Sequence, residues 1–422
     1  MEATVKKTTL KPYPDYKYSG VTWLGDIPEG WEVKRIKYLF NIGRGRVIAQ
    51  TELIENGLYP VYSSQTKDNG VLGYINSFDF DCKQITWTTD GANAGTVFLR
   101  NGKHNCTNVC GTLQANNNHQ EIEFVAYALQ VAAQFYKRPD TNGAKIMNGE
   151  MAEIFVTVPK LSEQVIIANF LDDKTTKIDQ AIGIKQKQIE LLKERRQILI
   201  HKAVTRGLND KVKLKDSGVE WIGEIPEHWT VFRNNILFQE RNEPGNENLP
   251  LLSVSIHTAV SSNELNDEEN IRGKIKIEDK SSYKLVKTGD IVFNMMRAWQ
   301  GAIGAVSIDG MVSPAYVVAK PKKTLDSTFI EFQYRTAKFI QQIDRASKGI
   351  TDFRKRLYWN EFKQLITVLP MIDEQKQIVE YIENATTKIA TAISLKEQEI
   401  EKLKEYKMSL IDGVVTGKVK VC

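Results

Sequence analysis

Residues 20–40 read GVTWLGDIPEGWEVKRIKYLF, and residues 218–238 read GVEWIGEIPEHWTVFRNNILF. At an offset of 198 the two stretches share 12 of 21 positions, among them Trp23 with Trp221 and Trp31 with Trp229. A second match follows in the same order. One residue beyond Pro159, from Leu161, the chain reads LSEQVIIANFLDDKTTKIDQAI, and one residue beyond Pro370, from Ile372, it reads IDEQKQIVEYIENATTKIATAI, at an offset of 211. Two ordered matches make the chain a tandem duplication, and a repeat on this scale sets the architecture before any local feature does.

Each downstream copy runs on into a helix with one apolar seam. In the first copy the seam is Ile178, Ile182, Lys185, Ile189, Leu192, Arg196, Leu199 and Ala203. In the second it is Ile389, Ile393, Lys396, Ile400, Leu403, Lys407, Leu410 and Val414, every member 211 residues on. Steps alternating between four and three are the a/d pattern of a coiled coil. Bare cations are costly to bury, so the seam lysines and arginine are expected to snorkel or to meet acids such as Glu194 or Glu405. Two equivalent helices in one chain can pair antiparallel about a pseudo-two-fold axis. Residues 178–203 alone would span about 38 Å at 1.5 Å per residue, close to the ~34–36 Å of one turn of B-DNA, so the pair could act as a ruler.

Between the repeated ends lie residues 41–158 and 239–369, which show no visible likeness to each other. The stretches QITWTTD, GTVFLR, EIFVTVP, GDIVFNMM and AYVVAK alternate β-branched and aromatic residues between turn signals, which predicts strands. Residues 121–136 and 326–346 read as helices. Each insert, with the Trp-containing segment before it, is long enough for a mixed α/β (α+β) globule.

Composition bounds the function only broadly. The 422 residues are 41% hydrophobic and 26% charged, an ordinary globular mixture. Lys and Arg number 57 against 52 acids, a formal charge of +5, compatible with nucleic acid but too small to name it. The four cysteines, Cys82, Cys106, Cys110 and Cys422, are too few for a disulfide scaffold and suit a reducing compartment. No apolar core of a secretion signal precedes Pro12 and Pro14, and no run nears the ~18 apolar residues that cross a bilayer. A soluble cytoplasmic protein without membrane association is expected.

Catalytic motifs are missing. The nearest approach to an amino-methyltransferase Pro-Pro-aromatic motif is Ser313-Pro314-Ala315-Tyr316, which lacks the second proline. Gly413 to Lys418 is one residue short of a P-loop and runs on into Val419. Pro139-Asp140 has no acid-x-Lys strand behind it, and Glu278-Asp279-Lys280 has no leader, so a metal-dependent nuclease is not indicated. His104, Cys106, Cys110 and His119 are more loosely spaced than Cys/His zinc sites usually are, and no metal site is expected.

The inserts offer binding chemistry instead. The first carries Lys67, Asn69, Asn93, Arg100, Lys103, His104, Arg138 and Lys145; the second carries Lys274, Lys276, Arg297, Gln300, Lys348, Arg354, Lys355 and Arg356. Arg and Lys suit guanine edges and phosphates, and Asn and Gln suit adenine. Residues 41–158 hold nine basic against eleven acidic residues, and residues 239–369 hold 19 against 16. Neither is a broadly basic surface, so DNA contact would be local. Each cluster alone reads equally well as a solvated loop; the duplication is what links them.

A W-[LI]-G-[DE]-I-P-x-x-W segment opening a variable region, then P-x-[LI]-x-E-Q entering a long helix, all of it twice, resembles the specificity subunits of type I restriction–modification enzymes. The likeness covers essentially the whole chain. It implies target recognition domains within 1–158 and 208–369, and antiparallel coiled-coil spacer helices within 159–207 and 370–422. It also implies a non-catalytic subunit that reads an asymmetric bipartite site in double-stranded DNA and holds two methyltransferase subunits, with restriction/translocase subunits joining outside. S-adenosylmethionine, ATP and Mg²⁺ would be used by those partners, with no cofactor in this chain. A coiled-coil adaptor that binds protein alone is the competing reading; it would show no sequence preference on DNA.

Overall fold

The repeated Trp segment folds the same way twice. Tyr16–Tyr18 pairs antiparallel with Asp26–Pro28, and Leu214–Asp216 pairs with Glu224–Pro226. Gly20, Gly25, Gly218 and Gly223 have φ between 66° and 76°, a left-handed conformation that a side chain disfavours, which explains why glycine stands at both ends of each turn. The next strand, Glu32–Arg35 or Thr230–Arg233, pairs with the last strand of the insert, Phe155–Val158 or Ile366–Leu369. Each insert therefore leaves the frame and returns to it just before the proline that opens the long helix.

The structure, a computed structural model, describes residues 11–141, 143–219, 222–246, 248–262, 282–349 and 354–421. Trp221, Lys274 and Lys276 lie outside the described residues. The chain divides into two compact units, Met1–Lys185 with Glu397–Cys422, and Gln186–Lys396. Each holds one frame, one insert and a stretch of both long helices, the central helix (Leu161–Arg206) and the C-terminal helix (Ile372–Val415). Among the described residues no helix is long and apolar enough to cross a membrane.

The Glu-Gln pair shared by both helix starts joins frame, insert and helix. The Nε1–H of buried Trp31 donates to Glu163 (3.2 Å), and that of Trp229 donates to Glu374 (3.1 Å). The other oxygen of each carboxylate is taken by Tyr13 (2.7 Å) in one unit and His228 (2.8 Å) in the other. Gln164 donates to Pro159 O and accepts from Glu121 N, both at 2.8 Å. Gln375 donates to Pro370 O (2.9 Å) and accepts from Asp326 N (2.8 Å). Both glutamines are buried. Gln375→Ala would orphan a buried donor and a buried acceptor, and should lower stability by about 1–3 kcal/mol in urea unfolding of the full chain; no loss would remove this staple from the account.

Within the first unit the helices run antiparallel, with Lys407 bound to Asp179 (2.7 Å) and Lys185 to Glu399. Ile178, Ile400 and Leu410 are buried, with Ile182 and Leu403 partly so. In the second unit Leu199, Ala203 and Val204, near the end of the central helix, share a core with Ile378 and Ile382, near the start of the C-terminal helix. Ile189 and Ile389 are buried, and Leu192 and Ile393 are half-buried. The acids that meet Lys185 and Lys407 are thus not Glu194 or Glu405. Those two are exposed and stand two residues from Arg196 and Lys407, about 200° round the helix and away from the seam.

The inserts, unlike in sequence, share one strand order. In the first unit Phe40–Arg44, Cys110–Ala115, Gln84–Thr88 and Val97–Arg100 lie side by side in an antiparallel sheet. In the second the order is Phe238–Glu240, Tyr316–Pro321, Ile291–Asn294 and Ile303–Ala305, again antiparallel. Chain order around the four strands is the same in both. A helical region follows the sheet, Ile122–Ala132 in one unit, Ser327–Tyr334 and Ala337–Ala346 in the other. Phe124 and Phe329 then meet Trp31 and Trp229 edge-on at 6.4 and 6.2 Å, seating each insert on its frame.

Candidate nucleic-acid interface

Equivalent topology gives equivalent loops, and three of them in each unit carry most of the candidate contacts. The first is the turn of a hairpin: residues 63–70 join Tyr59–Tyr62 to Val71–Ile75, and residues 256–258 join Leu252–Ser255 to Ala259–Ser262. The second joins an inner strand of the sheet to the edge strand beside it, residues 89–96 and 295–302. The third is a β-turn segment after the helices, Arg138–Asp140 with Gly143–Lys145 in one unit and the Lys348–Arg356 bridge in the other.

Backbone hydrogen bonds tie the third loop to the second in both units. Ile146 N donates to Thr89 O (2.8 Å) in the first unit, and Leu357 N donates to Met295 O (2.9 Å) in the second. These are the same contact, third loop to second. In the first unit Asn93 Nδ2 also lies 3.5 Å from Ser64 O, joining the second loop to the first. In the second unit the Lys355 ammonium stands 5.2 Å from the centre of the Trp299 ring.

Lys67, Asn69 and Asn93 are exposed on the first unit's loops, as are Arg297, Gln300 and Arg354 on the second's. Other candidates already have partners. Arg138 pairs with Glu150 (3.0 Å) and Lys145 with Asp140 (3.0 Å). Lys348 pairs with Glu361 (2.5 Å), Lys355 with Asp344 (2.7 Å), and Arg356 Nη1 donates to Lys355 O (2.9 Å). Lys103 begins the strand Lys103–Cys106, which pairs with Tyr59–Tyr62 and Phe80–Asp81, its ammonium 4.6 Å from the Phe78 ring centre and 5.9 Å from that of Tyr59.

Two candidates are corrected outright. Arg100 is 2% exposed and His104 is 1% exposed, so neither reaches a DNA backbone or base edge. His104 hydrogen-bonds Gln84 Nε2 and Gly102 O, both at 2.8 Å, and burial pulls its pKa down. That pattern fits the neutral ring with the proton on Nδ1. Arg100 lies under the first loop, its guanidinium over the rings of Tyr62 (3.5 Å) and Phe98 (4.4 Å). Residue type alone does not distinguish a surface arginine from one that supports a loop from beneath.

Burial pushes the neighbouring thiols up, Cys110 to about 11 and Cys106 beyond it, which disfavours the thiolate that metal ligation needs. Among the described residues no three His, Cys, Asp or Glu side chains converge to hold a metal ion. The turn carrying exposed His257 and Thr258, and the half-buried Arg335, escaped the sequence reading. Only the shared strand order brings them to the same place as the predicted loops.

Residues 28–194 match the family model of the type I restriction modification DNA specificity domain. Over 139 residues the chain is 44% identical to the putative type I specificity subunit S.MpnORF289P N-terminus of Mycoplasma pneumoniae, covering 33% of this chain and 74% of that protein. Matches to two further M. pneumoniae specificity subunits span 55% and 38% of their lengths. The MjaVIII specificity subunit of Methanocaldococcus jannaschii aligns over 94% of both chains at 25% identity. A chain of a solved type I R-M system, described for its complex assembly and conformational transition, superposes with a TM-score of 0.63 at 11% identity. It covers 92% of this chain and 98% of that one, a likeness of fold. With this relative and family match added to the doubled frame, the chain belongs to the type I restriction–modification DNA specificity subunits.

Proposed function

We propose that this chain is the target-reading subunit of a type I restriction–modification complex, and that each unit reads one half of an asymmetric bipartite site in double-stranded DNA. The observation that carries the reading is the recurrence of one three-loop group on one sheet topology with different residues on it. Lys67, Asn69 and Asn93 occupy the loops of one unit; Arg297, Gln300 and Arg354 occupy those of the other. Unlike loops on like scaffolds read unlike half-sites, with Arg and Lys on guanine or phosphate and Asn and Gln on adenine. The long helices dock two methyltransferase subunits, and restriction/translocase subunits complete the nuclease. Adenine methylation with S-adenosylmethionine, and translocation and cleavage with ATP and Mg²⁺, belong to those cytoplasmic partners; this subunit contributes no catalytic group.

Purified with its methyltransferase subunit, the chain should enrich one bipartite sequence from a random duplex pool. Recovery of no sequence above background would return it to a protein-only adaptor. Within that site, Arg354→Ala combined with Arg356→Ala should weaken binding and leave assembly with the methyltransferase intact. Two lost phosphate contacts would flatten the salt dependence by about two units of slope, whereas a lost base contact would cost ~1–3 kcal/mol at one position. Unchanged affinity and slope would remove this pair from the interface.

A further inference from the structure

We infer that Arg100 and Arg335 are specificity-determining positioning residues, each supporting from beneath the hairpin turn among the loops with which its unit reads DNA. The inference rests on the DNA-reading assignment above and deepens it. Arg335 follows the helix Ser327–Tyr334. Its Nη1 donates to Gly301 O and Ile303 O (both 3.1 Å) and reaches Ser255 O at 3.4 Å. Its Nη2 donates to Ile256 O (2.8 Å) and His257 O (3.2 Å). One planar fork thus ties the hairpin turn to the end of the second loop. A lysine, with one nitrogen, cannot span both.

Arg100 does the corresponding work from another element, the end of a strand. Its Nη1 donates to Asn69 O (2.8 Å) and its Nε to Thr86 Oγ1 (3.1 Å), and the guanidinium lies over the Tyr62 and Phe98 rings. A Cβ on Gly70 would come within 2.9 Å of Nη2, so the turn lies directly on the arginine.

The two turns share a second property. Asp68 (φ 48°), Asn69 (φ 53°) and Ala259 (φ 54°) are the non-glycine residues with positive φ among the described residues; the first two lie in the first unit's turn and Ala259 directly follows the second unit's. Such conformations persist where the surroundings over-determine them. Both arginines hold their turns through main-chain carbonyls, and the side chains of Lys67, Asn69 and His257 stay exposed. Two inserts without sequence likeness have each placed an arginine, buried Arg100 and half-buried Arg335, against the same turn. Base-specific hydrogen bonds tolerate little displacement of the loop that supplies them, and the arginine sets that displacement without touching DNA.

The test uses the full chain co-purified with its methyltransferase subunit, and duplexes with a randomised core selected by binding. Arg335→Met, Arg335→Lys, Arg100→Met and Arg100→Lys are compared with the parent, and melting is followed in parallel. If the parent selects no bipartite site, the DNA-reading assignment fails and not the clamp. Given a parental site, each arginine variant should relax discrimination by about tenfold or more at one or more positions of one half. The other half should stay parental, and the Arg100 and Arg335 variants should affect opposite halves. The lysine variants decide if a methionine variant does not fold, and Gly70→Ala, which presses on Arg100 from the loop side, should reproduce the Arg100 pattern. Folded variants with parental discrimination in both halves would overturn the inference. So would parallel loss in both halves.

Discussion

Exchanging residues 239–369 for the corresponding insert of another type I specificity subunit should replace one half of the methylated target and leave the other half unchanged. All three reading loops of the second unit lie inside that segment, and none of the first unit's does. With each mismatched base pair costing ~1–3 kcal/mol, several changed positions take preference for the original half to background. The junctions matter. The segment ends in the strand Ile366–Leu369, paired with Thr230–Arg233 of the retained frame. It also carries Gln333, whose amide donates to Val204 O and Val368 O at 3.0 Å each. It carries Asp326 as well, whose N–H meets Gln375. A donor insert that keeps those contacts should fold on this frame. Change in both halves, or in neither, would contradict the division of labour between the units.

Lengthening both long helices should widen the gap between the half-sites without altering either. Four residues added between Lys185 and Gln186, and four between Lys396 and Glu397, lengthen each helix by about 6 Å with about 40° of extra rotation. At ~3.4 Å per base pair, the preferred gap should grow by one or two base pairs if the helices set the spacing. These points fall at the boundaries of the two units. The end of the central helix suits insertion poorly, because Thr205 is buried there and Val204 O accepts from Gln333. Methylation mapping of the insertion variant reads the gap directly, and an unchanged gap with full activity would mean that helix length is not the ruler.

The frame and the helices were legible in the sequence because packing dictates them residue by residue. Trp31 and Trp229 fill the same core position and their indole N–H groups need the same acceptor, so Trp and Glu recur together. The seam was legible because its period is fixed by the helix. The common strand order of the inserts was not. A buried strand such as Gln84–Thr88 and its counterpart Ile291–Asn294 require only interior side chains of suitable volume, and QITWT and IVFN meet that need with Ile85 and Ile291 alone in common by position. Within the site, glycine-rich loops with Arg, Lys and Asn drew attention to Lys67, Asn69, Asn93, Arg297 and Gln300, all exposed. The same rule misplaced Arg100, because the chain bends back over that strand end and covers it. It passed over residues 255–258, whose place beside the other loops comes from a pairing distant in sequence.

The central claim is that one chain reads two unlike half-sites. Adenine methylation across the genome of the host, compared with and without this gene, tests it most directly. One asymmetric bipartite motif should be methylated in the parent and unmethylated in the deletion strain, with every other methylated motif unchanged. Restoring the gene should restore that motif. A methylation pattern indifferent to the gene, or a lost motif with two identical halves, would contradict the account.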